Sequence, residues 1–198
     1  MRKLLLIGWL VIISVCIGGF FWYNEWKFNL PTPVPKNYAA INLGSYVDVA
    51  PELKFHNNKP VFLHFFNPDC PCSKFNVPHF ATLVKQYSDK ANFAIVVMSD
   101  KKYTQQEIQK KFGVDIPVLF DSAVAAKCGV YSTPQAVILN KNSTLFYRGN
   151  YNRARYCTDA KSNYAQIALD SLLDNNTSIV FNHYALTAYG CQLPKCNR

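Results

Sequence analysis

The sequence predicts an α/β domain, a mixed sheet flanked by helices on both faces, preceded by one N-terminal transmembrane helix. Three observations carry this reading. Short apolar runs rich in aromatic and β-branched residues alternate with helical patterns after residue 60. The last two of these runs flank a polar turn, Asn140-Lys141-Asn142, which signals a hairpin. Residues 4–23 carry no charged side chain, a stretch long enough to span a bilayer as a helix.

Taken in order, residues 1–26 form the anchor. Arg2 and Lys3 precede the apolar run, so the N-terminus is expected in the cytoplasm and all that follows Asn24 outside it, with Trp22, Tyr23 and Trp26 at the outer interface. Gly18-Gly19 leads straight into Phe20-Phe21-Trp22 without a small-x-small cleavage site, which argues for an uncleaved segment over a signal peptide. Cys16 follows Val15, a residue larger than a lipoprotein site carries. Residues 27–37 form a linker whose alternating Pro31, Pro33 and Pro35 favour an extended spacer that holds the domain off the membrane.

The globular domain is expected over residues 38–175. Its start, Tyr38 to Leu53, has a weak pattern, and His56 to Pro60 reads as a turn. Val61–Phe66 has the composition of a buried strand, punctuated by Asn67, Pro68 and Asp69. Phe75, Phe80, Leu83, Val84 and Tyr87 then form an apolar helical stripe, with a bend expected at Pro78. Further strands are expected at Asn92–Met98, Ile116–Phe120, Gln135–Asn140 and Ser143–Arg148, and helices at Thr104–Phe112, Ser122–Cys128 and Tyr164–Leu173. Residues 176–198 form a cysteine-containing tail in which only Ile179–Phe181 suggests a regular element.

Composition narrows the function. The formal charge is +9, but Lys and Arg are scattered with no basic stripe, which argues against a nucleic-acid partner. Seven cysteines fit an oxidising compartment. There is no Gly-rich phosphate loop, dinucleotide fingerprint or His-Glu-x-x-His pair, so neither cofactor nor metal is expected.

Cys70 and Cys72 stand where the strand ends and the helix begins. The unpaired N–H groups and positive end of a helix favour thiolate over thiol there, although a structural disulfide or a pair of metal ligands would use the same residues. The segment resembles the active-site stretch of the thioredoxin superfamily. In that family the helix proline lies eight residues after the first cysteine and five after the second, so Pro78 places Cys70 in the first position and Ser73 in the second. Cys72 is one place early, a Cys-Pro-Cys-Ser departure. Tyr131-Ser132-Thr133-Pro134-Gln135 resembles the family's cis-proline loop.

The resemblance covers residues 40–175. It implies a membrane-anchored thiol-disulfide oxidoreductase acting on a protein or small-molecule thiol or disulfide, in which Cys70 is the nucleophile and Cys72 the resolving thiol. It also implies that Thr133 and Pro134 line the substrate side, and a single-pass location in a bacterial inner membrane with the C-terminal domain in the periplasm.

Other residues invite a role. His64, six residues before Cys70, is a candidate for proton transfer or a core histidine bonded to a neighbour. Asp69 opposes a Cys70 thiolate by charge, and Lys74 offsets it. Cys128 reads as a buried packing residue. Six exported cysteines permit fifteen pairings, among which a bridge from Cys157 to Cys191 or Cys196 is preferred. Arg148, Arg153 and Arg155 beside Tyr147, Tyr151 and Tyr156 form a candidate anion site or a solvated loop. Two rival functions remain: a Cu(I) metallochaperone using the Cys-x-Cys pair with His64 or His79, and a thiol peroxidase, which expects Thr or Ser where Asn67 stands.

Overall fold

A computed structural model describes residues 2–53, 55, 57–154, 157–176 and 178–193. The chain forms two units, one ending at Pro31 and one beginning at Thr32. The first is dominated by helix α1, Arg2–Asn29, which over Arg2–Trp26 is long and apolar enough to cross a membrane. Leu5, Trp9, Phe20 and Phe21 project outward from it, exposed.

The second unit holds β1 (Val61–Phe66), α2 (Pro71–Lys74), α3 (Val77–Tyr87), β2 (Asn92–Val97), α4 (Gln105–Phe112), β3 (Val118–Leu119) and α5 (Ala123–Cys128). It continues with β4 (Ser132–Thr133), β5 (Gln135–Leu139), β6 (Leu145–Gly149), a 3-10 turn at Ala160–Ser162, α6 (Tyr164–Leu173), α7 (His183–Leu186) and β7 (Cys191–Gln192). Five strands form a sheet in the order β3-β2-β1-β5-β6, with β1, β2 and β3 parallel and β5 antiparallel to both β1 and β6. β4 and β7 form a separate antiparallel pair.

β1 lies at the centre because it is apolar on both faces. Phe62 and Phe66 join Phe80 and Leu83 of α3, Ile108 and Phe112 of α4, and Ala165 and Leu169 of α6. Leu63 and Phe65 meet Val124 and Cys128 of α5 and the loop residues Val47, Val49 and Leu53. Phe62, Leu63, Phe65 and Phe66 are fully buried, each worth about 1.5–3 kcal/mol of transfer free energy. The weak opening pattern thus belongs to an irregular segment, bridged to the hairpin around Tyr46 and Thr144, that covers one face of the sheet.

The expected bend at Pro78 is a complete break between α2 and α3. Pro78 has no N–H to give the Lys74 carbonyl, and its ring would crowd that same oxygen, so α2 stops at Lys74 and α3 restarts with Pro78 in its first turn. α4 begins with a reciprocal capping box between Thr104 and Glu107 and ends at Gly113, whose φ of 63° is the left-handed conformation of a helix terminus. Two further expectations give way. Ile179–Phe181 forms neither helix nor strand; the tail instead forms α7 and β7. The proline linker is not a free spacer at Thr32, which is buried against Ser132 and Gly190. His56, Arg155, Tyr156 and Cys196 lie outside the described residues.

Candidate active site

The site begins at the C-terminal end of β1. The Asn67 side-chain oxygen accepts from the Asp69 amide (2.9 Å), and the Cys70 amide donates to the Asn67 carbonyl (3.1 Å). This tight turn places Cys70 at the N-cap of α2 with extended backbone, followed by Pro71 in the first turn, where a missing N–H costs nothing. Cys70 is disulfide-bonded to Cys191, 121 residues away. The sulfurs of Cys70, Cys72 and Cys191 all lie within 4.8 Å of one another, and all three residues are buried.

This overturns the expected bridge from Cys157 to the tail. Cys157 keeps its thiol, which donates to the Asn76 side chain (2.8 Å) and is pushed up to about 12 by burial. Cys128 is likewise a buried thiol, raised to about 12 by desolvation, the packing role expected of it. Cys70 is fully buried, more enclosed than Cys72, with the tail bonded to it.

Several contacts seat the tail. β7 pairs with β4 in the register Thr133↔Cys191 and Ser132↔Gln192, and the Leu193 amide donates to the Tyr131 carbonyl (3.1 Å). The Thr133–Pro134 bond that follows is cis. Thr32 Oγ1 accepts from the Gly190 amide and donates to the Gly190 carbonyl, both at 2.9 Å, while its own amide donates to Ala188 (2.8 Å). Asn150 Nδ2 donates to the carbonyls of Tyr184 (2.7 Å) and Thr187 (2.5 Å), fixing α7. Gly190 is required by close approach, since a Cβ there would stand 2.3 Å from the Thr133 carbonyl oxygen. Thr133 Oγ1 is buried without a hydrogen-bond partner among the described residues.

The remaining candidates are placed elsewhere. His64 is fully buried, stacked on Phe80 (centroids 4.5 Å apart), with Nδ1 2.6 Å from the Tyr151 hydroxyl. Desolvation and the neighbouring His79 lower it to about 3, so it is neutral near pH 7 and too weak a base for proton transfer there. It is the core histidine of the two readings. The Asp69 carboxylate is held not by Lys74 but by Lys101 (2.7 Å), Ser99 (2.7 Å) and Tyr103 (2.9 Å), which lower it to about 2. Its charge is therefore compensated beside Cys70. The arginines make no anion site among the described residues. Arg148 donates to the carbonyls of Ile41 and Cys128, Arg153 lies over the Tyr184 ring, and Tyr147 and Tyr151 are core residues. The sulfur cluster contains neither His64 nor His79.

Sequence reasoning missed Cys191 as the partner of Cys70, and Thr32 as the residue that seats it. A glycine before a tail cysteine was the single local sign.

The fold is thioredoxin-like, as the resemblance implied. A family model described as Domain of unknown function (DUF6436) matches residues 44–193. The thiol-disulfide oxidoreductase ResA of Halalkalibacterium halodurans is 23% identical over 139 residues, covering 69% of this chain and 79% of that protein. A hypothetical protein of Sinorhizobium meliloti has a similar structure (TM-score 0.63, 18% identity), covering 79% of this chain and 96% of its own. An uncharacterized conserved protein of Geobacillus kaustophilus gives a TM-score of 0.57 at 19% identity, covering 69% and 77%.

Proposed function

The chain belongs to the DUF6436 family, and from that membership, the ResA likeness and the sulfur geometry we propose that it is a membrane-anchored thiol-disulfide oxidoreductase. The observation that carries the reading is Cys70 at a helix N-cap, joined in a disulfide to the strand that pairs with the one preceding the cis-proline. The Cys70 thiolate attacks one sulfur of a substrate disulfide and expels the other as thiolate, leaving a mixed disulfide. Cys72 then attacks Cys70, the second substrate thiol leaves, and Cys70–Cys72 is formed. The substrate gains the two electrons that the dithiol loses. Thr133 and Pro134 form the substrate side of the site, and the substrate is a protein or small-molecule disulfide.

The apolar helix supports anchoring in a bacterial inner membrane, with Arg2 and Lys3 inside and the catalytic domain in the periplasm. Exchange assays on the full chain in detergent test the chemistry. Cys70→Ser should abolish turnover, and Cys72→Ser combined with Cys191→Ser, fully reduced at the start, should accumulate mixed disulfides through Cys70. Full multiple-turnover activity in Cys72→Ala would remove Cys72 from the resolving role. Protease digestion of the domain in spheroplasts, but not in intact cells, checks the location; protection in spheroplasts would refute it.

One observation favours a second reading. Three buried sulfurs within 4.8 Å of one another are a soft donor set once reduced, and soft thiolates select Cu(I). Anaerobic titration of the reduced chain with Cu(I) distinguishes the two, since charge-transfer absorption saturating at one equivalent would support metal carriage and its absence would exclude it.

A further inference from the structure

We propose that residues 188–193 are an internal substrate strand and that Cys191 is a third exchange cysteine, whose bond to Cys70 closes the site until Cys72 opens it. This rests on the reading of Cys70 as an exchange nucleophile.

The register supplies the first argument. The tail lies extended and antiparallel along β4, Cys191 opposite Thr133 and Gln192 opposite Ser132, with its sulfur delivered to Cys70. A polypeptide bearing a disulfide would present itself in the same way, because backbone pairing sets the position and one side chain reaches the reacting atom. The seat is also selective. Gly190 passes so close to Ser132 and Thr133 that an added Cβ would meet the Ser132 hydroxyl at 2.6 Å and the Thr133 carbonyl oxygen at 2.3 Å. The substrate class is therefore an extended polypeptide with glycine immediately before its cysteine. While the tail is seated, Cys70 is fully buried and Cys191 nearly so, and the edge of β4 is occupied. No external strand reaches it.

Opening needs no outside reagent. Cys72, its sulfur within 4.8 Å of both others, loses its proton and attacks Cys70 Sγ. The Cys70–Cys72 bond forms, the Cys70–Cys191 bond breaks, and the electron pair leaves on Cys191, which takes up a proton. One disulfide becomes another with no net oxidation. β7 is only two residues long, so with the sulfur bond gone the tail is held by hydrogen bonds alone, to β4, Tyr131 and Thr32, and an external strand can compete with it. Cys128 and Cys157 lie outside this sulfur cluster.

The test uses the full chain in detergent. Disulfide mapping of the oxidised, alkylated protein should give Cys70–Cys191 in the wild type and Cys70–Cys72 in Cys191→Ser; a wild-type map lacking Cys70–Cys191 overturns the proposal. A peptide Ala-Tyr-Gly-Cys-Gln-Leu, its cysteine blocked as a thionitrobenzoate disulfide, is then added to the reduced protein and the coloured thiol followed. Release by Cys191→Ser should be at least tenfold faster than with the Ala-Tyr-Ala-Cys-Gln-Leu peptide, and several-fold faster than release by the wild type, whose tail competes. Equal rates overturn the proposal. Should Cys191→Ser fail to fold, the wild-type map and the two-peptide comparison on the wild type decide. Release that survives Cys70→Ser refutes the underlying oxidoreductase reading, whereas release that needs Cys70 but ignores both the glycine and Cys191 refutes the internal strand alone.

Discussion

At the scale of single residues, burial sets which titratable groups stay neutral near pH 7. His64 is the clearest case. Its folded value of about 3 lies below the ordinary 6.5, so between these values the unfolded chain binds a proton that the folded chain does not. The stability His64 contributes is complete above pH 6.5 and is lost as the pH falls toward 3. His79, lowered by burial, acts in the same direction. Asp69, at about 2 against 3.8, adds a separate loss below pH 3.8. His64→Phe should therefore flatten part of the fall in urea midpoint between pH 6.5 and 4, leaving the share due to His79. The slope is the readout, since the Tyr151 hydroxyl loses its partner in the variant. An unchanged slope would show that His64 titrates normally.

At the scale of elements, Asn150 links the end of β6 to the tail. Its side chain donates to the carbonyls of Tyr184 and Thr187 at the close of α7, and its amide donates to Ala185 (2.9 Å). Asn150→Ala leaves two carbonyls without these donors, a loss of about 1–3 kcal/mol where such groups stay buried. Amide exchange over residues 183–193 should quicken while β1 and β2 stay protected; uniform acceleration would mean that Asn150 supports the whole domain. Such long-range seating explains what was legible beforehand. β1, the hairpin, α6 and the position of Cys70 announce themselves through composition, periodicity and a proline at fixed spacing, all local signals. β7 is two residues long, has no period, and finds its partners at Thr32, Ser132 and Cys70, far away in sequence. The break before α3 was half legible, because Pro78 was recognised but the carbonyl it excludes was not.

At the scale of the whole molecule, Thr32 and residues 188–193 converge on the strand before the cis-proline. Thr32, the first residue of that unit, binds Ala188 and Gly190, and Gly190 adjoins Cys191. This sets a load path. Tension along the N-terminal segment enters at Thr32 and reaches the tail before it reaches any strand of the main sheet. With the disulfide formed, the load is expected to stop at Cys70; with it reduced, only hydrogen bonds oppose peeling of the tail. Optical-tweezer pulling between the N-terminal segment and a handle at the end of α6 should show an early, low-force step in the reduced chain. Thr32→Val should erase that step and leave the main rupture unchanged; its persistence would place the first yield elsewhere. On this expectation a single threonine hydroxyl lets the oxidation state of a cysteine be read as the force at which the chain first yields.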